Sequence, residues 1–173
     1  MKKLAIIAVL LTLGLGCVRH NTSEPSASTP VTSSTPRAEF SYVTDHANVI
    51  DGATKTKLEA RLAELRQKED IDFAVVTVST SGAESAFDHS LKLARERGAA
   101  IKNQNTNGNL LLLVAIDDRN WHIQISRNLE AELTNPILTE LSSPMTELFK
   151  QKRYGEGVTK YVDAIIAKLA ELR

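Results

Sequence analysis

The sequence predicts an α/β sandwich, and three observations lead to this prediction. Residues 73–78 and 110–116 are two almost continuously apolar runs, which is typical of strands buried on both faces. Apolar and polar residues alternate over 121–126, as in a strand with one face exposed to water. Four further segments carry apolar residues at helical spacing. The resulting order of helix, strand, helix, strand, strand, helix and helix indicates helices packed on a small sheet.

The first half of the domain is expected to hold two helices around one buried strand. Residues 42–45 form a short extended lead-in, and Asp51 is a suitable N-cap for a helix that ends near Glu69. After the first strand, the second helix is expected to close at Gly98, because glycine favours the backbone conformation that ends helices. A polar loop over 102–109 then leads to the second strand.

The second half begins with a hairpin and ends with two helices. Only residues 117–120 separate the last two strands, so these strands are expected to pair antiparallel. Asn135 is the expected N-cap of the third helix, with Pro136 at its first position. The last helix is expected to run from about Glu156.

The residues before the domain are expected to be an export signal and a linker. Lys2 and Lys3 precede a twelve-residue apolar run, and small residues follow it. This run would span about 18 Å as a helix, which is too short for a bilayer core of about 30 Å. We therefore expect a lipoprotein signal peptide over 1–16, a Ser/Thr/Pro-rich linker over 17–38, and a folded domain over 39–173.

Residues 13–17, which read Leu-Gly-Leu-Gly-Cys, resemble a bacterial lipobox. The resemblance implies cleavage before Cys17 and a lipid anchor on that residue, so the membrane is an expected partner. Val18, the residue after the cysteine, implies that the anchored chain is located in the cell envelope, at the periplasmic face of the outer membrane. The alternative is an ordinary signal peptide, with Cys17 incidental. Cys17 is the only cysteine, so its lipidation would leave no thiol for a disulfide or a metal site.

Charge and motif content exclude several classes of function. The chain has 21 basic and 21 acidic residues, so charge gives no reason to expect nucleic acid as a partner. No nucleotide-binding, metalloprotease or serine-hydrolase motif is present. The four histidines are far apart in sequence and are interpreted as surface residues. Asp70 and Asp72 precede the first buried strand, at the wrong end for an aspartyl nucleophile.

Asp117 and Asp118 leave two interpretations open. They follow the second apolar strand, where adjacent carboxylates are suitable oxygen ligands for a hard cation such as calcium. They are also ordinary turn residues, and a polar turn needs no further function.

Several segments in register resemble a TPM domain over roughly residues 40–172. They are residues 42–50, 74–78, 107–114, 117–119, 129–134 and 149–158. The resemblance implies a three-layer α/β/α sandwich with a small mixed sheet of about four strands and about four helices. It also implies a calcium site, for which the matching positions are Asp45, Asp117, Asp118 and Asn135.

The chain departs from the family pattern after the hairpin. Ser126, Asn128 and Ala131 stand where the family has glycines, and Asn135 replaces an aspartate. Cation affinity depends on the number of charged ligands, so we expect a weakened or absent site.

Three functions remain open on these grounds. The first is a non-catalytic module that binds or assists another envelope protein, with at most weak cation binding. The alternative is a weak calcium-dependent acid phosphatase that hydrolyses phosphate monoesters. The third is a purely structural domain.

Overall fold

The computed structural model of the chain describes residues 41–100 and 106–173. The elements are β1 (Val43–Asp45), α1 (Gly52–Glu69), β2 (Ile71–Val78), α2 (Ala86–Ala100), β3 (Gly108–Ala115), β4 (Asn120–Ile125), a 3-10 turn (Arg127–Leu129), α3 (Asn135–Lys150) and α4 (Tyr154–Glu171). The predicted signal peptide, Cys17 and the linker lie outside the described residues. None of the helices in the described ranges has the length and hydropathy needed to cross a bilayer.

The sheet has four strands in the order β1-β2-β3-β4. The first three strands are parallel, with Val43 opposite Val75 and Phe73 opposite Leu110. β4 returns antiparallel to β3, so the predicted hairpin is confirmed and the sheet is mixed. Because the carboxyl ends of β1, β2 and β3 point the same way, the loops that follow them meet along one side of the sheet, which we call the carboxyl edge.

Helices cover both faces of the sheet unequally, which confirms the predicted α/β sandwich. The face that carries Phe73, Val75 and Leu112 packs against α1, α3 and α4 in one large core. The other face carries Val76 and Leu113 and packs against α2 alone. Since β1, β2 and β3 are neighbours in chain order and α1 and α2 lie on opposite faces, the two crossovers have opposite hands. One of them departs from the usual right-handed rule.

Three local boundaries differ from the sequence prediction. The lead-in over 42–45 contains a true strand, β1, which pairs with β2. Helix α2 does not close at Gly98, because this glycine does not adopt a positive φ and the helix continues to Ala100. Thr134, rather than Asn135, is the N-cap of α3, which places Pro136 one residue further into the first turn, where proline is still tolerated. The Asp51 cap of α1 is confirmed, since its carboxylate accepts from the Thr54 N–H at 2.9 Å.

The face of β4 predicted to be exposed is partly covered by α2. The imidazole of His122 meets the Phe87 ring edge-on, with 5.0 Å between the ring centroids. Gln124 donates to the Ser90 hydroxyl at 3.2 Å. The interpretation of His122 as a surface residue is therefore corrected, and burial lowers the pKa of this imidazole.

Asp72 lies inside β2 rather than before it, and it is buried with an ion-pair partner. Its two carboxylate oxygens accept from Arg97 Nε at 2.6 Å and from Arg97 Nη2 at 2.9 Å. Arg97 Nη1 also donates to the Ser41 carbonyl at 3.1 Å, and its guanidinium lies 5.5 Å from the centre of the Tyr42 ring. This bidentate pair joins α2 to the amino-terminal end of the sheet and to the lead-in.

Candidate functional site

Three of the four predicted site residues lie along the carboxyl edge. Asp45 ends β1, and Asp117 and Asp118 lie in the turn between β3 and β4. The loop after β2 lies between them, since the backbone N–H of Asp117 donates to the Ser79 carbonyl at 2.8 Å. The edge is thus built from three loops that hydrogen bonds connect across the sheet.

The carboxylate of Asp45 is engaged by the loop that follows it. Its Oδ1 accepts from the Val49 N–H at 3.2 Å and from the Thr77 hydroxyl, and its Oδ2 accepts from the Ile50 N–H at 2.9 Å. The Thr77 hydroxyl oxygen also accepts from the Ala47 N–H at 3.4 Å. Asp45 therefore shapes the connection from β1 into α1.

Asp118 has a similar role between the second and third loops. Its Oδ1 accepts from the Thr80 hydroxyl at 2.8 Å, and its Oδ2 accepts from the Ser81 N–H at 2.6 Å. These bonds, the one from the Ser81 N–H above all, lower the pKa of the Asp118 carboxyl. Asp117 is exposed beside it, and its carboxylate makes no hydrogen bond or ion pair within residues 41–100 and 106–173.

Asn135 lies at the other end of the sheet. Ile125 pairs with Leu110 near the start of β3, and the Ser126 N–H donates to the Asn109 carbonyl, so the chain leaves β4 at the amino-terminal edge. Leu129 then packs against Gly108 before α3 begins. In the described part of the chain, no three His, Cys, Asp or Glu side chains are grouped so that they could hold a metal ion. The four predicted ligands are not brought together, and calcium binding stays a prediction.

A cleft of about 460 Å³ opens beside the carboxyl edge, between the β3–β4 hairpin and the corner that joins α3 to α4. Three aromatic and three cationic side chains contribute to its lining, and they are Trp121, Phe149 and Tyr154 with Arg119, Lys150 and Lys152. We call it the corner cleft. Sequence reasoning missed it, because its residues come from two segments about thirty positions apart and follow no motif.

The aromatic walls of the corner cleft are fixed by packing. The rings of Phe149 and Tyr154 lie 5.3 Å apart, and Trp121 meets the buried ring of Tyr161 edge-on at 5.6 Å. Gly157 makes room for Phe149, since a Cβ at this glycine would lie 2.7 Å from the ring. The cleft is thus a preformed surface that combines apolar walls with positive charge.

Comparisons with solved structures agree with this fold. The N-terminal domain of a protein from P. gingivalis is 29% identical, with a TM-score of 0.66 over 75% of this chain and 82% of that one. The N-terminal domain of a Corynebacterium glutamicum protein is 17% identical, with a TM-score of 0.53 over 79% of this chain and 85% of that one. A protein from Bizionia argentinensis is 14% identical, with a TM-score of 0.57 over 70% of this chain and 82% of that one. At 17% and 14% identity, the last two likenesses show the fold alone.

Two further comparisons concern curated proteins and protein-family models. A search of the curated proteins gave no significant match. The family model of the TPM domain matches residues 43–168, from the first residue of β1 almost to the end of α4. This match covers more than half of the chain, so the chain belongs to the TPM domain family.

Proposed function

We propose that this TPM domain is a non-catalytic module that binds another protein of the cell envelope and is tethered to the membrane by lipid on Cys17. The observation that carries the proposal is the hydrogen bonding of the carboxylates at the carboxyl edge. Asp45 and Asp118 each accept hydrogen bonds on both oxygens from N–H and O–H groups of β2 and the surrounding loops. These two carboxylates stabilise the loops of the carboxyl edge, which form a surface that a binding module could use to contact its partner.

The state of Asp118 supports a structural role over an acid–base role. A carboxyl that exchanges protons with a substrate works best with a pKa near the working pH. Hydrogen bonds to Asp118 shift its pKa the other way, below the usual range, so it remains an ionised acceptor. Asp117 has no partner of the kind that activates a nucleophile within the described residues.

The test is an assay for hydrolysis of a phosphate monoester by the full chain in detergent, with and without calcium. We expect no turnover above the buffer background in either condition. Asp117→Ala is the informative variant, and Glu140→Ala, an exposed acidic residue on α3, is its matched control. Calcium-dependent turnover that disappears in Asp117→Ala and persists in Glu140→Ala would refute the proposal.

A second candidate function, a weak calcium-dependent acid phosphatase, is favoured by one observation. The exposed carboxylate of Asp117 stands beside Asp118 on the same edge as Asp45, so three carboxylates lie on one side of the sheet. Calcium bound to the folded chain would raise the melting temperature, because a ligand of the native state stabilises it. No rise in melting temperature with calcium, together with no turnover, would exclude this candidate.

The membrane tether is tested separately in cells. A palmitate analogue should label the chain through Cys17, and Cys17→Ser should abolish the label and release the chain from the membrane fraction. Persistent labelling of Cys17→Ser would exclude this residue as the lipid site, and the binding function would then need another route to the envelope.

A further inference from the structure

Two cations of the corner cleft sit in an unfavourable backbone conformation. Arg119 has φ +49° and Lys152 has φ +61°, in the left-handed region that is unfavourable for residues with a Cβ. The other non-glycine residues at positive φ in the described ranges are Asn48 and Asp70, whose short polar side chains tolerate this region.

Each of the two positions is one that glycine usually fills. Arg119 is the last residue of the β3–β4 turn. Its N–H donates to the Ile116 carbonyl at 3.2 Å, and a left-handed glycine is usual at this place in a hairpin. Lys152 is the residue after the C-cap of α3. Its N–H donates to Phe149 and the next N–H donates to Leu148, which is the hydrogen-bond pattern of a glycine-terminated helix.

The side chains of these two residues have no partner of their own. Arg119 and Lys152 make no side-chain hydrogen bond, ion pair or ring contact with any residue that the structure describes, although Lys150 beside them pairs with Glu147. The acidic residues of the same turn do not line the cleft, since Asp118 is held by Thr80 and Ser81 on the β2 side. Residues held in a sparsely populated backbone region cluster at binding sites, and here both strained positions carry a cation whose side chain has no internal partner.

We propose that the corner cleft binds an acidic peptide segment of the partner protein, with a carboxylate paired to Arg119 and Lys152 and a neighbouring apolar side chain packed on Trp121 and Phe149. This inference rests on the proposed binding function and names its site. A volume of about 460 Å³ falls within the range of natural ligand pockets and accommodates a few side chains.

The aromatic walls decide between an acidic peptide and a bare anion. Inorganic phosphate would pair with the two cations but would make no apolar contact with the three aromatic side chains. An acidic side chain next to an apolar one uses both parts of the cleft, and aromatic residues and arginine are the side chains that most often anchor protein partners. Long-range attraction between the cations and an acidic segment would also speed its encounter with the cleft.

Trp121 provides the measurement, because it is the only tryptophan in the chain and lines the cleft. The full chain in detergent is titrated with the peptide acetyl-Asp-Leu-Asp-Leu-amide while tryptophan fluorescence is recorded. Acetyl-Asn-Leu-Asn-Leu-amide tests the need for carboxylates, and inorganic phosphate tests the bare anion. We expect a saturable change with the acidic peptide only, and weaker binding at high salt.

Two variants and one control locate the site. Arg119→Gln and Lys152→Gln remove charge and keep a long side chain at the strained positions, and each is expected to weaken peptide binding about two- to five-fold. Lys57→Gln removes an exposed charge from α1, outside the cleft, and should leave binding unchanged.

Each outcome separates this inference from the proposed function. No saturable change with the acidic peptide, equal binding of the amide peptide or of phosphate, or an unchanged affinity in the Arg119→Gln/Lys152→Gln double variant would overturn the inference. A chain that binds the peptide and also hydrolyses a phosphate ester through Asp117 would keep the site and refute the non-catalytic function. A chain that neither binds the peptide nor hydrolyses the ester would overturn the proposed peptide site and leave the non-catalytic function standing.

Discussion

Replacing Arg119 by glycine should stabilise the fold while it weakens peptide binding. Removing the Cβ at φ +49° relieves about 1–2 kcal/mol of backbone strain. Glycine also gains about 0.5–1 kcal/mol of chain entropy in the unfolded state, which offsets part of that relief. The expected result is a free energy of unfolding about 0.5–1 kcal/mol higher than that of the unchanged chain, measured by urea denaturation with far-UV circular dichroism.

Lys150→Gly is the matched control for Arg119→Gly. It removes a cation from the same cleft, but Lys150 lies in the last turn of α3 with helical backbone. Glycine at such a position costs up to about 1 kcal/mol. Both variants should therefore weaken binding of the acidic peptide, whereas Arg119→Gly should raise the free energy of unfolding and Lys150→Gly should lower it. Equal destabilisation by both variants would refute the argument that Arg119 is held under strain for the sake of binding.

Three further predictions concern the packing of the domain. Arg97→Met should lower the free energy of unfolding by about 3–5 kcal/mol, because it leaves Asp72 charged and buried, and Asp72→Leu combined with Arg97→Met should recover most of the loss in the same urea titration. Stability should fall as the pH drops below about 6.5, because burial lowers the pKa of His122 and the unfolded chain then binds a proton more readily; His122→Gln should reduce this slope in melting temperature against pH. Gly157→Ala should cost about 1–3 kcal/mol, since its Cβ would lie 2.7 Å from an aromatic ring, whereas Gly98→Ala meets nothing within 4 Å and should be neutral or stabilising on thermal unfolding.

Most of the fold was predictable because its signals are local or periodic. The apolar runs of β2 and β3, the short hairpin and the Asp51 cap each depend on residues that are close in sequence. The sequence predicts only a lead-in at β1, because three residues cannot show a period and the pairing with β2 depends on contacts about thirty residues apart. The predicted end of α2 at Gly98 is wrong because the residue type alone does not show whether a glycine adopts the positive φ that commonly ends a helix.

The candidate site was predictable only in part. The order of the strands fixes where Asp45, Asp117 and Asp118 lie, and the resemblance assigns all three to one site. Asn135 was assigned to the same site by resemblance, but the hairpin reverses the chain and carries this residue to the opposite edge. The corner cleft had no sequence signal except one that is easy to overlook. Arg119 occupies a hairpin position that is usually glycine, and Lys152 occupies a position after α3 that is usually glycine.

The unequal coverage of the sheet has a consequence for motion. Three helices share one large core, whereas α2 rests on a small apolar patch and is otherwise joined to the sheet by the Arg97 ion pair, the Gln124–Ser90 hydrogen bond and the Phe87–His122 ring contact. The layer with fewest buried apolar contacts opens first, at a cost below that of global unfolding. Backbone amides of α2 should exchange with deuterium well before those of α4. The α2 layer would therefore open locally while the opposite layer, which carries the corner cleft, stays folded.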